Sequence, residues 1–170
     1  MTTIIEVIEK ASEYTIQKRV DCTVMKMPSE IKNTYKEIVE LLQKNGRQAS
    51  GMPFVKYLDI DWAALMKENM LIGFFKMFFR KWHIIIGFPV AEKFEPGEPL
   101  ASGILEGGKY IKTVHYGPYQ NVTAAYKELV KFAEKENIKM KNESIEIYTN
   151  DPAVTKKEEL ETILLVPVAG

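Results

Sequence analysis

Tyr35-Lys36-Glu37-Ile38-Val39 and Tyr126-Lys127-Glu128-Leu129-Val130 are the same five-residue phrase with one conservative change, placed 91 residues apart. The offset continues without a gap. It carries Lys44 onto Lys135 and Tyr57 onto Tyr148, and it lays MPFVKYL (52–58) beside ESIEIYT (143–149). A register held over this length marks an internal duplication. Farther on, IIIGFPV (84–90) matches TILLVPV (162–168) at an offset of 78, so the first copy carries 13 extra residues.

Ile31, Tyr35, Ile38, Val39 and Leu42 recur at helical spacing, as do Val122, Ala125, Tyr126, Leu129, Val130 and Ala133. Each copy therefore holds an amphipathic helix. A strand-like run precedes each helix, YTIQKRVDCTVMKM (14–27) in one copy and GKYIKTVHY (108–116) in the other. Pro28 or Gly117-Pro118 marks the turn between, and proline suits a helix start because its missing N–H would be unbonded there anyway. The order strand, helix, strand, strand predicts an α+β fold: tandem duplicated β-α-β-β modules with pseudo-two-fold symmetry, helices on one side of an antiparallel sheet, and a central ligand cleft at the seam. One domain is expected over residues 1–170, with modules at about 14–90 and 104–168.

Composition narrows the function. The chain has 170 residues, 46% hydrophobic and 27% charged, which is enough to bury a core without staples. Lys plus Arg and Asp plus Glu both total 23. With no net positive field, direct nucleic-acid binding is not expected. Cys22 has no second cysteine, and with only His83 and His115 beside it there is no metal-site spacing, no nucleophilic dyad and no call for a cofactor. A reducing, cytoplasmic setting follows. The N-terminus lacks the pattern of a secretion signal, and the most apolar stretch, residues 70–88, is broken by Lys76, Arg80, Lys81 and His83, so no transmembrane segment is expected.

In Ser144-Ile145-Glu146-Ile147-Tyr148 the side chains alternate between sheet faces. With the isoleucines assigned to the helix, Glu146 and Tyr148 fall on the open face, and the repeat pairs them with Val55 and Tyr57. Such a groove holds two tyrosines but one carboxylate. That asymmetry is the chemical signal, because Val55 shows that the strand itself does not require a charge. A carboxylate among aromatic rings suits a cationic or hydrogen-bond-donating ligand, the rings adding about 0.5 to 2 kcal/mol of cation–π attraction. The alternative is a solvated strand glutamate beside ordinary packing tyrosines.

Gly108 to Tyr119 (GKYIKTVHYGPY) followed by AYKEL, then EIYTNDP (146–152) and TILLVPV, resemble the GyrI-like family, which includes effector-binding domains of multidrug-responsive transcription activators of the AraC and MerR types. The resemblance spans roughly residues 14–168. It implies two β-α-β-β modules around a cleft for drug-like, often cationic aromatic compounds, with Glu146 at its floor. No helix-turn-helix precedes the domain, which points to a stand-alone binding protein that senses or sequesters its ligand. The family also implies two alternatives. One is a hydrolase of strained cyclopropanoid compounds, in which Glu146 acts as general base with Tyr148 as its partner. The other is an interaction module such as a gyrase-inhibitor-like protein. The candidate ligand-binding residues are Glu146, Tyr148, Tyr57, Val55, Tyr119, Trp62 and Phe88.

The insertion at about 62–82 is rich in large apolar residues. If helical, Leu71, Phe74, Phe75, Phe78 and Trp82 form one stripe, suited to core packing, to a lid over the groove, or to a homodimer, partner-protein or membrane-surface contact. His115, just before the Gly-Pro-Tyr turn, either lies on the surface or gives the groove a hydrogen bond.

Overall fold

The computed structural model describes residues 4–67 and 80–170. Its strands are β1 (Ile5–Lys10), β2 (Glu13–Cys22), β3 (Phe54–Tyr57), β4 (Trp82–Val90), β5 (Ala101–Leu105), β6 (Gly108–Tyr116), β7 (Ser144–Tyr148) and β8 (Glu161–Pro167). They form one antiparallel sheet in the order β1-β6-β8-β7-β3-β4-β2-β5. The described α-helices are α1 (Met27–Lys44), α2 (Trp62–Lys67) and α3 (Val122–Lys135).

The β-α-β-β order occurs twice, as β2-α1-β3-β4 and β6-α3-β7-β8. β3 and β7 pair at the centre of the sheet, so the strand order reads alike from both edges once the copies are exchanged. Both sequence offsets are also structural ones: Val55 lies opposite Ile86, and Glu146 lies opposite Leu164. The helix ends repeat as well. Gly46 (φ 63°) and Asn137 (φ 54°), 91 residues apart, both adopt the left-handed conformation that ends a helix. The next amide in each copy then bonds back, Arg47 to the Leu42 carbonyl and Ile138 to the Ala133 carbonyl, both at 2.8 Å. Asparagine tolerates this conformation better than most residues that carry a Cβ.

α1 and α3 cover the same sheet face. Ile38 and Leu42 pack with Ile16, Val90 and Leu100, while Ala125, Leu129 and Ala133 pack with Ile111, Leu164 and Val166. The isoleucines of β7 do not lie against the helices, which corrects the expectation from alternation. Ile145 and Ile147 pack with Phe54, Leu105, Tyr110, Leu165 and Ile8 on the opposite face. Ser144, Glu146 and Tyr148 are the residues turned toward the helices. Alternation separates two faces but cannot say which one a helix covers.

The opposite face is covered by the sheet itself. β1 and β5, which the repeat did not reveal, add to the edges in exchanged fashion: β1 pairs with β6 of the second module, and β5 with β2 of the first. The sheet curls until the links after β1 and β5 touch, where the Gly107 amide donates to Ser12 Oγ at 2.8 Å. A Cβ on Gly107 would lie 2.8 Å from the Ser12 nitrogen and 2.9 Å from the Lys10 carbonyl oxygen.

Most of the aromatic insertion, and with it the stripe Leu71, Phe74, Phe75 and Phe78, lies outside the described residues. Trp82 opens strand β4. Among the described residues no helix is long and apolar enough to cross a membrane.

Candidate functional site

The β3–β7 ladder sets Phe54 opposite Ile147, Val55 opposite Glu146 and Lys56 opposite Ile145. The repeat makes residues 91 apart equivalent. Only Val55 and Glu146 satisfy both rules, so the pseudo-two-fold axis passes between them. Everywhere else the axis relates two separate places, but here the equivalents touch. One carboxylate on the axis is therefore shared by both halves of the domain.

Glu146 is 6% exposed. Its Oε2 accepts a hydrogen bond from the Tyr148 hydroxyl at 2.8 Å, and its Oε1 accepts one from the Tyr126 hydroxyl at 2.9 Å. The Tyr126 oxygen also lies 2.8 Å from Ser144 Oγ. Tyr35 on α1 is the repeat equivalent of Tyr126 on α3, and Tyr57 is that of Tyr148. Two pseudo-symmetric pairs of tyrosines thus surround a single charge. The first-module pair is bonded differently. The Tyr57 hydroxyl donates to Met27 Sδ at 3.7 Å, and the Tyr35 hydroxyl is buried without a partner among the described residues. The equivalents of Ser144 and Glu146 in that module are Pro53 and Val55, neither of which offers a side-chain oxygen.

Further rings extend the cluster. Tyr119 packs edge-to-face on Tyr148 (5.3 Å between centroids), Tyr35 on Phe88 (5.2 Å) and Tyr57 on Trp82 (5.9 Å). The Arg80 guanidinium lies 4.7 Å from the centre of the Trp82 ring.

Burial pushes the Glu146 carboxyl above its ordinary range, while the hydrogen bonds from Tyr148 and Tyr126 act in the other direction. Burial, followed by the charge on Glu146, pushes the hydroxyls of Tyr35, Tyr57, Tyr126 and Tyr148 up, so they remain neutral donors. Among the described residues no ion pair involves Glu146. A desolvated carboxylate without a cation is costly, and a positive charge brought among the rings would offset that cost.

Of the residues singled out in the sequence, Glu146, Tyr148, Val55 and Tyr57 meet at the axis. Tyr119 joins through Tyr148, and Phe88 through Tyr35. Trp62 reaches the cluster through Tyr126, with ring centroids 5.8 Å apart, and its Nε1–H donates to the Lys141 carbonyl at 2.8 Å. Tyr35, Tyr126, Ser144 and Met27 were not among the candidate ligand-binding residues, and Trp82 entered only as part of the insertion stripe. The repeat register aligns Tyr35 with Tyr126, but helical periodicity absorbs both into the core stripe. His115 is half-buried, with Nε2 3.1 Å from the Pro118 carbonyl. Cys22 is buried, its thiol pushed up by burial, and His83 pairs with Asp21 at 2.7 Å. Among the described residues no cluster of three His, Cys, Asp or Glu side chains could hold a metal ion.

The profile of the GyrI-like small molecule binding domain matches residues 81–169. The chain belongs to the GyrI-like family. The match begins at β4 of the first module and takes in the whole second module, including Glu146. No curated protein matches the sequence. Among solved structures, the GyrI-like chain is similar to the EcmrR C-terminal domain (TM-score 0.67, 16% identity, 99% of each chain). It is also similar to EcmrR in its DNA complex (TM-score 0.72, 15% identity), covering 98% of this chain but only 57% of that one. A hydrolase from Listeria innocua (TM-score 0.66, 14% identity, 97% of this chain and 91% of that one) and SAV2435 bound to tetraphenylphosphonium (TM-score 0.63, 16% identity, 100% and 95%) share the fold.

Concavities lined by described residues lie away from Glu146. One, of about 500 Å³, is lined by Asp59, Ile60, Asp61, Trp62, Ala63 and Asn142. Another, of about 100 Å³, lies near Lys56, Gly107 and Tyr110.

Proposed function

We propose that this GyrI-like chain binds hydrophobic organic cations at Glu146, and so senses or sequesters them. The observation that carries this reading is a buried carboxylate on the pseudo-two-fold axis, ringed by tyrosines and without a cation partner among the described residues. The rings supply apolar area and cation–π attraction, and the carboxylate supplies charge selection. SAV2435, which shares the fold, is bound to a cation of this class, tetraphenylphosphonium. The test is a calorimetric titration of the full chain with tetraphenylphosphonium. Glu146→Gln should weaken binding by about tenfold or more, the scale of one lost charge-assisted contact. Equal affinity in parent and variant would refute charge recognition.

The Tyr148–Glu146 hydrogen bond supports a second reading, in which Glu146 takes a proton from water that opens a strained ring. Turnover separates the two. Incubation with a cyclopropane-bearing alkylator, followed by mass spectrometry, should show more than one equivalent of water adduct for the hydrolase and none for the binding protein.

A further inference from the structure

The two helix tyrosines, Tyr35 and Tyr126, are equivalent in sequence and unequal in bonding. Tyr126 uses both faces of its hydroxyl, toward Ser144 and Glu146. The Tyr35 hydroxyl is buried and has no partner among the described residues. Leaving a buried hydroxyl unbonded is unfavourable, and each such group in a folded protein calls for an explanation. This one is placed at the site. Tyr35 packs in one cluster with Val55, Tyr57 and Tyr148, burial and then the charge on Glu146 hold its proton on, and its ring is braced edge-to-face by Phe88. Its partner is missing for a sequence reason, since Pro53 and Val55 stand where the other module has Ser144 and Glu146.

We infer that Tyr35 is a specificity-determining residue whose hydroxyl waits for a polar atom of the ligand, so that the preferred ligands are aryl cations carrying a hydroxyl, carbonyl or amide group. This inference rests on the proposed cation site. In that arrangement Glu146 selects the charge from the second module, and Tyr35 selects the hydrogen-bonding group from the first. A cation with only hydrocarbon rings, such as tetraphenylphosphonium, satisfies the carboxylate and leaves Tyr35 unbonded.

The test compares two probes of nearly equal size, tetraphenylphosphonium and its mono-hydroxyphenyl analogue, titrated against the full-length parent, Tyr35→Phe and Glu146→Gln. The parent should prefer the hydroxylated cation by about tenfold, the scale of one buried hydrogen bond. Tyr35→Phe should bring the ratio close to one, because it removes the one oxygen that tells the two cations apart and no ring area. Glu146→Gln should weaken both cations together and keep the preference. A parent that binds both cations equally, or a preference that survives in Tyr35→Phe, overturns the assignment of Tyr35 and leaves the cation site standing. A parent that binds neither cation overturns both.

Discussion

Val55 lies directly across the β3–β7 ladder from Glu146, and the sequence repeat makes the same two residues equivalent. The domain therefore has one position on its axis where a charge can be placed from either side. Val55→Glu puts a second carboxylate against the first, and two like charges in a desolvated place cannot both ionise freely. The single variant should lose about 3 kcal/mol or more at neutral pH, the scale of an uncompensated buried charge. The double variant Val55→Glu/Glu146→Val should recover much of that loss, because Tyr35 and Tyr57 stand where Tyr126 and Tyr148 stand in the other module. Urea denaturation of the parent and the two variants checks this. A double variant no more stable than the single one would show that the tyrosine pairs are not interchangeable.

Stability should depend on pH through Glu146. Burial lifts its folded-state pKa above the ordinary value of 4.5. Between that value and the raised one, the folded protein keeps a proton that the unfolded chain has released. The unfolded state then binds fewer protons, and stability falls as pH rises through the window. Glu146→Gln removes this loss, so its stability advantage over the parent should be smallest below the ordinary carboxylate range, grow across the window, and level off above it. Denaturant melts at a series of pH values measure the difference.

The same group ties ligand affinity to pH. An organic cation stabilises the ionised carboxylate, so binding tightens as pH rises through the window and releases a proton within it. Calorimetry of tetraphenylphosphonium binding in buffers of different ionisation enthalpy should detect that proton, and Glu146→Gln should abolish it.

Tyr148→Phe removes the donor to Oε2 and keeps the ring. It should raise the Glu146 pKa further, move the pH window of cation binding upward, and cost about 1 to 2 kcal/mol of stability from the lost hydrogen bond to a charged group. Binding curves at several pH values distinguish that shift from a uniform loss of affinity, which would indicate that the ring has moved.

Gly107→Ala tests the closure of the sheet. The new methyl would meet the Ser12 nitrogen and the Lys10 carbonyl, both backbone atoms that cannot swing aside. A loss of about 1 to 3 kcal/mol is expected, as for overpacking elsewhere, with faster amide exchange in β1 and β5.

The sequence by itself determined the duplication, the order of elements in each copy, and the single carboxylate between repeated tyrosines, because these are relations along the chain. A 91-residue register and a period of two or 3.6 survive without knowledge of packing. The tertiary structure decided which face of the sheet those residues occupy. Ile145 and Ile147 looked like the helix-facing set until the curl of the sheet, closed by β1 and β5, gave them an apolar covering of its own. It also turned Tyr35 and Tyr126 from core positions of two helices into neighbours of one charge. That convergence depends on β3 pairing with β7 in the register that sets Val55 against Glu146, a contact between residues far apart in sequence that local periodicity cannot specify.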